Sequence, residues 1–362
     1  MLHKQQLPDA EYKDLMRIFH FQVRLLLWML CKADVIVLEK ATIKQKFGEK
    51  VGKWLCGRIW RGADKTNFGN NITAFIELAK SDTGQAKASA DAIWNDIQFL
   101  KKWERPNYGM IFPMLPNEWK ITIYDVCIPF YESWLCGSGF KKSVFEIAAD
   151  CIDRKRLMRA YRPYSNGVCS YCDGTLGDVG TTKEANECDH FFPKSKFPHL
   201  SLHPRNLFVS CKDCNQTWKA DNAPMGVADL PGLYGTYHPQ LRPGIESISV
   251  NVREEPTRTY KIELNDNNVA ARAASLNEVL DLDCRWTNDI NERLRPNLSE
   301  LIAESVCTHR RNEPIDEATM TRIIDDVIDY KEKRIGVTSR AIREVAVLKY
   351  QRANQLAELM VC

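Results

Sequence analysis

Apolar residues recur at helical spacing along two stretches of the N-terminal half. Leu15, Ile18, Phe19, Val23, Leu26 and Leu27 form one stripe, and Ile93, Trp94, Ile97, Leu100 and Trp103 form another. Steps of three and four residues lay such side chains along one helix face, so each stripe predicts a helix packed on a core. The most apolar run, residues 23–38, predicts a buried helix followed by a strand or a second helix. Arg24, Lys32 and Asp34 interrupt it too often for a membrane span. Loops are predicted at 80–88 and 105–118, where Gly, Pro, Asn and Asp gather. Residues 143–160 predict one helix ending in a basic run of Arg154, Lys155, Arg156, Arg159 and Arg162. Such a run is either a solvated helix face or a flank that contacts phosphates.

From residue 167 to about 225 the periodicity gives way to short segments rich in Cys, Gly, Asp and Asn. A Pro/Gly/Tyr loop follows at 231–244. The runs 247–253 and 258–265 then alternate apolar and polar residues around a short polar turn, which predicts a β-hairpin. Residues 269–362 return to amphipathic helix, with Pro296, Pro314 and Gly336 as expected breaks. The texture divides the chain into a helical region at 1–161, a compact module at 162–228, a loop and hairpin at 229–268, and a helical region at 269–362. The fold class expected is mainly α, with a small α+β module and a following hairpin.

Composition narrows the function classes little. In 362 residues, 50 Lys and Arg against 47 Asp and Glu leave a net charge of +3, so any surface for nucleic acid must be local. Thirteen cysteines make an odd number in a chain long enough to build its own core, which argues against a disulfide framework. Cys31, Cys56, Cys127, Cys136 and Cys151 stand in apolar stretches, where reduced thiols act as small hydrophobes. A reducing cytoplasm fits best. The polar start lacks the apolar core and small-residue cleavage site of a signal peptide, and no membrane association is expected.

Two cysteine pairs change the picture. Cys169 and Cys172 form one Cys-x-x-Cys, and Cys211 and Cys214 form another. Each short turn aims two sulfurs at one point, and four thiolates close a tetrahedral zinc site with no open position for substrate. The expected ion is therefore structural Zn2+. Cys188 is a poorer candidate ligand because its partner spacing is unsuitable.

Between the pairs stand Asp189-His190-Phe191-Phe192-Pro193 and then Arg205-Asn206-Leu207, which runs into Cys211-Lys212-Asp213-Cys214-Asn215 and Trp218-Lys219-Ala220-Asp221. Alone, His190 reads as a core histidine, and Asn206 and Asn215 as turn or cap residues. Together they supply what phosphodiester hydrolysis needs: a general base in His190, a hard oxygen ligand in Asp189, and cations near the phosphate.

This order resembles the HNH endonuclease family, in the branch where two Cys-x-x-Cys pairs bracket an Asp-His and an Asn-Leu. The resemblance covers about fifty-five residues. It implies a ββα-metal fold in which His190 is the base and Asp189 and Asn215 hold a catalytic Mg2+ or Mn2+. Asn206 then ties down the loop bearing the base. Lys219, Arg205 and Lys194 are expected at substrate phosphates, while Lys196 is expected to be solvated and His199 and His203 structural. Relatives commonly read Lys-Gly-Asp where this chain has Lys219-Ala220-Asp221. The order His238-Pro239, hairpin, Ala270-Ala271-Arg272 and Leu280-Asp281-Leu282-Asp283 is similar to HNH proteins of bacterial anti-phage systems such as Septu and retron-linked nucleases. That similarity implies an ATPase partner or another defence-system protein, and the helical flanks also leave room for a homo-oligomer. The function expected is DNA cleavage. An RNA-cleaving HNH nuclease and a non-catalytic, zinc-stabilised nucleic-acid-binding scaffold are the alternatives.

Overall fold

The computed structural model describes residues 2–60, 67–101, 112–165, 167–176, 186–222, 236–310 and 316–356. Helix α1 (Asp9–Lys32) buries Leu15, Ile18, Phe19 and Leu26. It packs on α4 (Phe68–Ser81) and α5 (Thr83–Lys101), while α2 (Lys40–Phe47) and α3 (Glu49–Trp60) form a tight pair beside them. Gly48 lies between α2 and α3 at φ 81°, a conformation open to a residue without a Cβ. The second stripe buries Ile93, Ile97 and Leu100, but Trp94 is 52% exposed, and Trp103 falls outside the described residues.

Several local predictions need correction. Residues 33–38 form neither strand nor second α-helix: a single tight turn, Ala33–Val35, ends α1, and Val35 and Val37 face solvent. The loop expected at 80–88 shrinks to one residue. The Asp82 carboxylate accepts from the Gln85 N–H, so the chain re-enters helix at once. The single helix expected over 143–160 is divided. A short α7 (Lys142–Phe145) ends at Glu146, whose φ is 54°, and α8 (Arg154–Ser165) begins afresh. The cause is Asp14 on α1, whose two carboxylate oxygens accept from the Ala148 and Ala149 N–H groups and hold that stretch out of the helix. Of the scattered cysteines, Cys56 and Cys127 are buried as expected, whereas Cys31 and Cys136 are exposed.

Helix α6 (Asn117–Pro129) runs into wider, π-helical turns at Phe130–Ser138, directly after the proline removes a backbone donor. Gly139 ends them at φ 68°; a Cβ there would lie 2.3 Å from the Cys151 sulfur. Strands β1 (Phe140–Lys141) and β2 (Cys151–Ile152) pair antiparallel on either side of α7. The central module consists of β3 (Asn186–His190) and β4 (Leu207–Cys211), antiparallel with Asp189 opposite Phe208 and His190 opposite Leu207, followed by the short helix Asp213–Lys219.

The predicted hairpin is present as β5 (Ile248–Glu254) and β6 (Tyr260–Asp266). Along β6, Tyr260, Ile262, Leu264 and Asp266 are buried in strict alternation, and this face packs on α9 (Ala270–Leu280) and α10 (Leu282–Asp289). Pro296 does not break the helical path. It lies in the first turn of α11 (Arg295–Arg310), just after wide turns at Ile290–Leu294. Pro314 lies outside the described residues. Gly336, at φ 77°, does separate α12 (Glu317–Glu332) from α13 (Ala341–Asn354). The architecture is mainly helical with small antiparallel hairpins. Among the described residues, no helix is long and apolar enough to cross a membrane.

Buried apolar side chains form one continuous cluster from Leu2 to Leu348, so the central module shares its core with both helical flanks. Polar clasps reinforce this. The Gln5 amide donates to the Val209 carbonyl at 2.8 Å and accepts from the Val209 N–H at 2.9 Å, occupying the backbone groups along the edge of β4. Tyr161 of α8 donates to the Leu207 carbonyl.

Candidate active site

The four paired cysteines meet at one point. Cys169 and Cys172 stand on a turn, Cys211 ends β4, and Cys214 lies in the helix that follows. Their sulfurs all lie within 4.8 Å of one another, and the Cys211 N–H points to the Cys169 sulfur at 3.4 Å. Burial pushes the Cys169 thiol well above its ordinary pKa, and its three sulfur neighbours add to the shift. Four ionised thiols in such a space require a cation, and the donor set suits a tetrahedral metal such as zinc. Cys188 stands apart from this cluster. Its carbonyl accepts from Tyr131 at 2.9 Å, and burial pushes its thiol up to about 12.

The knuckle is gripped from three directions. His3 approaches the Asp173 carboxylate at 2.8 Å, and the Ile342 N–H and the Arg343 guanidinium reach Asp173 from the start of α13. The Trp286 indole of α10 donates to the Cys172 carbonyl at 3.1 Å.

Beside the knuckle lies a cavity of about 400 Å³, whose lining includes Asp189, His190, Asn215, Lys219, Lys194 and Arg154. Asp189 and His190 are neighbours on a strand, where side chains alternate in direction. Both reach the cavity because it opens at the end of β3, where His190 is the last strand residue. Asn215 and Lys219 stand one helical turn apart on Asp213–Lys219, which presents both to the same side.

Asp189 is buried, and both of its carboxylate oxygens accept hydrogen bonds. One carboxylate oxygen accepts from the Tyr171 hydroxyl at 2.8 Å; the other accepts from the His190 N–H at 2.6 Å and from the Lys219 ammonium at 3.1 Å. His190 Nε2 lies 3.0 Å from the Ser201 carbonyl, which only accepts, so that nitrogen carries the proton and Nδ1 keeps the basic lone pair. The Tyr131 ring packs edge-on at 4.3 Å. Burial, with the Lys194 charge second, lowers the imidazole pKa to about 3, so the ring is neutral at physiological pH.

Asn206 closes the loop between the strands. Its amide oxygen accepts from the Phe192 N–H at 2.7 Å, and its NH2 donates to the Phe192 and Leu200 carbonyls, each at 3.1 Å. Leu200 precedes Ser201, the carbonyl that orients His190. Lys194 lines the cavity, pairs with Glu132 at 2.8 Å and lies over the Tyr131 ring. Arg205 is directed elsewhere: its guanidinium donates to the Leu100 carbonyl of α5 at 2.8 Å, away from the cavity lining. Lys196 is exposed, and His199 and His203 are buried, packed against Phe112 and Phe19.

Tyr131, Glu132 and Tyr171 are the residues of this site that sequence reasoning missed. Tyr171 had a signal, since it lies inside the first Cys-x-x-Cys turn. Tyr131 and Glu132 had none, because they come from distant π-helical turns.

Two antiparallel strands and a short helix, clamped by four cysteines and opening on a cavity with a carboxylate, an imidazole and an amide, define a ββα module of the metal-binding type. The chain carries an HNH endonuclease domain: residues 169–220 match the family model described as HNH endonuclease. Protein ea31 of Escherichia phage lambda is 45% identical over 77 residues, covering 21% of this chain and 22% of that protein. Septu protein PtuB of Bacillus thuringiensis is 41% identical over 51 residues, covering 14% of this chain and 19% of that protein. The matches thus span about a fifth of each relative's length. No solved structure matches the chain.

Proposed function

We infer that the protein is a metal-dependent endonuclease that hydrolyses DNA phosphodiester bonds, with His190, Asp189, Asn206 and Asn215 as its working residues. The observation that carries this reading is the convergence of Asp189, His190 and Asn215 on one cavity. The buried Asp189 carboxylate already has a cationic neighbour in the Lys219 ammonium, so the site is built around positive charge. With the Asn215 amide lining the same cavity, the donor set is hard oxygen and fits Mg2+ or Mn2+. Asp189 and Asn215 would hold that ion, which when bound supplies charge stabilisation at the scissile phosphate.

His190 takes a proton from water through Nδ1, while Ser201 fixes the ring through Nε2. An incoming phosphate brings negative charge that offsets Lys194 and Lys219 and so makes the imidazole a stronger base. Asn206 keeps the Ser201 segment in register. Lys194 and Lys219 are the phosphate contacts on the cavity wall. Cys169, Cys172, Cys211 and Cys214 would hold a zinc ion with all four thiolates, leaving no ligand position for substrate, and would so tie the turn, β4 and the helix together.

The similarity to a Septu protein supports a place in a bacterial anti-phage system, with a second defence protein such as an ATPase as partner. The cytoplasm, where thiols stay reduced, is the compartment that suits the cysteine usage.

The test is to incubate zinc-loaded protein with plasmid DNA and with structured RNA, in Mg2+, Mn2+ or EDTA. Cleavage of DNA that requires the divalent ion is expected. Cleavage of RNA alone transfers the assignment to an RNA nuclease, and binding without cleavage of either transfers it to a scaffold.

A further inference from the structure

Lys219 and Asp189 form an ion pair inside the protein, with side chains 1% and 4% exposed. The ammonium stands 3.1 Å from one Asp189 oxygen and 3.5 Å from the Ala220 carbonyl. That same carboxylate oxygen accepts from the His190 N–H, and its partner oxygen accepts from Tyr171. The charge of Asp189 is therefore already balanced by the chain itself, at the position where the reading above needs a divalent ion. Two positive charges on one buried carboxylate repel strongly, since little water screens them. Lysine is suited to leave: it is a point charge on a flexible four-carbon stem, without the fixed fork that would bind arginine to a carboxylate. An anion for it to join would arrive with the substrate, because Lys219 already lines the cavity.

We propose that Lys219 is an internal counter-ion gate. It holds Asp189 until a divalent ion enters, then transfers its ammonium to a phosphate oxygen of the nucleic acid. The ion alone therefore binds weakly, and ion and phosphate assist one another by the same factor in either order. This rests on the active-site reading above.

The experiment is Mn2+ binding, followed by the electron paramagnetic resonance of free Mn2+ without nucleic acid, on zinc-loaded wild type, Lys219→Met, Lys219→Gln and Asp189→Asn. Zinc content and circular dichroism are measured on each. The gate predicts that Lys219→Met binds Mn2+ about tenfold tighter than wild type and that Asp189→Asn loses the site. If Lys219→Met does not fold, Lys219→Gln, which keeps a neutral donor, decides with the same expected direction. Loss of Mn2+ in Asp189→Asn with no tightening in the Lys219 variants overturns the gate and leaves the active-site reading standing. Binding unchanged in Asp189→Asn, or absent from every protein, overturns both.

Discussion

The Arg285 guanidinium reaches the Cys214 sulfur with two nitrogens, at 3.5 and 3.6 Å, while stacking 4.8 Å over the Trp218 ring. Arg285 belongs to α10, about seventy residues beyond the knuckle. A zinc ion bound by the four thiolates would carry a net charge of about −2, and this guanidinium would offset part of it while orienting one ligand. Groups that bond to metal ligands commonly change metal affinity by about 10–100-fold. Arg285→Met should therefore release zinc to a chromogenic chelator faster and weaken its binding by about 10–100-fold, with Arg285→Lys intermediate. Equal release rates would mean the contact is incidental.

Asn206 is linked to His190, the proposed base, through two steps, its amide to the Leu200 carbonyl and the neighbouring Ser201 carbonyl to His190. Asn206→Ala strips partners from the Phe192 N–H and from two carbonyls in a buried loop. Stability in urea should fall by about 2–4 kcal/mol, and nuclease activity should fall further than the folded fraction does. Activity that merely tracks the folded fraction would remove Asn206 from the orienting chain.

Ala220 has φ 44° and ψ −121°, a region that a residue with a Cβ enters only under strain. It occupies the position where relatives commonly have glycine. Ala220→Gly should raise the unfolding free energy by about 1 kcal/mol, after allowing for the greater freedom of glycine in the unfolded chain. A lower midpoint in urea would show that Ala220 sits there without strain.

Acid should weaken the fold through a buried histidine outside the cysteine cluster and the cavity. Burial, with Arg205 second, holds His203 at about 3, against an ordinary value of 6.5. The unfolded chain therefore takes up this proton first. The stabilising contribution is complete above pH 6.5 and is lost as pH falls toward 3. By about pH 5 the loss reaches about 2 kcal/mol for one such group. His203→Asn keeps an acceptor for the Arg205 N–H, which His203 Nδ1 now receives at 3.1 Å. This variant should be less stable at neutral pH but show a shallower decline between pH 7 and about pH 5. An unchanged slope in denaturation curves would assign the acid sensitivity elsewhere.

The module was legible in sequence because its parts lie within residues 169–220, where chain order alone brings Cys, Asp-His, Asn and Cys-x-x-Cys-Asn together. Local periodicity also located α1, α5 and the β5–β6 hairpin. It failed where a distant side chain decided the backbone. Asp14 divides the predicted helix at 143–160. The apolar run after Lys32 opens instead with a tight turn and leaves Val35 and Val37 exposed. Tyr131 and Glu132 reach the cavity only through tertiary packing. Arg205 misled for the opposite reason: it adjoins Asn206 in sequence, but the tight turn at Pro204–Asn206 sends its guanidinium to α5.

The most direct measurement compares single-turnover cleavage of one labelled DNA duplex by wild type, His190→Ala, Asp189→Ala and Asn215→Ala, with zinc content confirmed equal in all four. General-base catalysis contributes about 10²–10⁴-fold, so His190→Ala should fall by at least the lower figure, and the two ligand variants should respond to higher Mn2+. Cutting by His190→Ala at the wild-type rate would contradict the account.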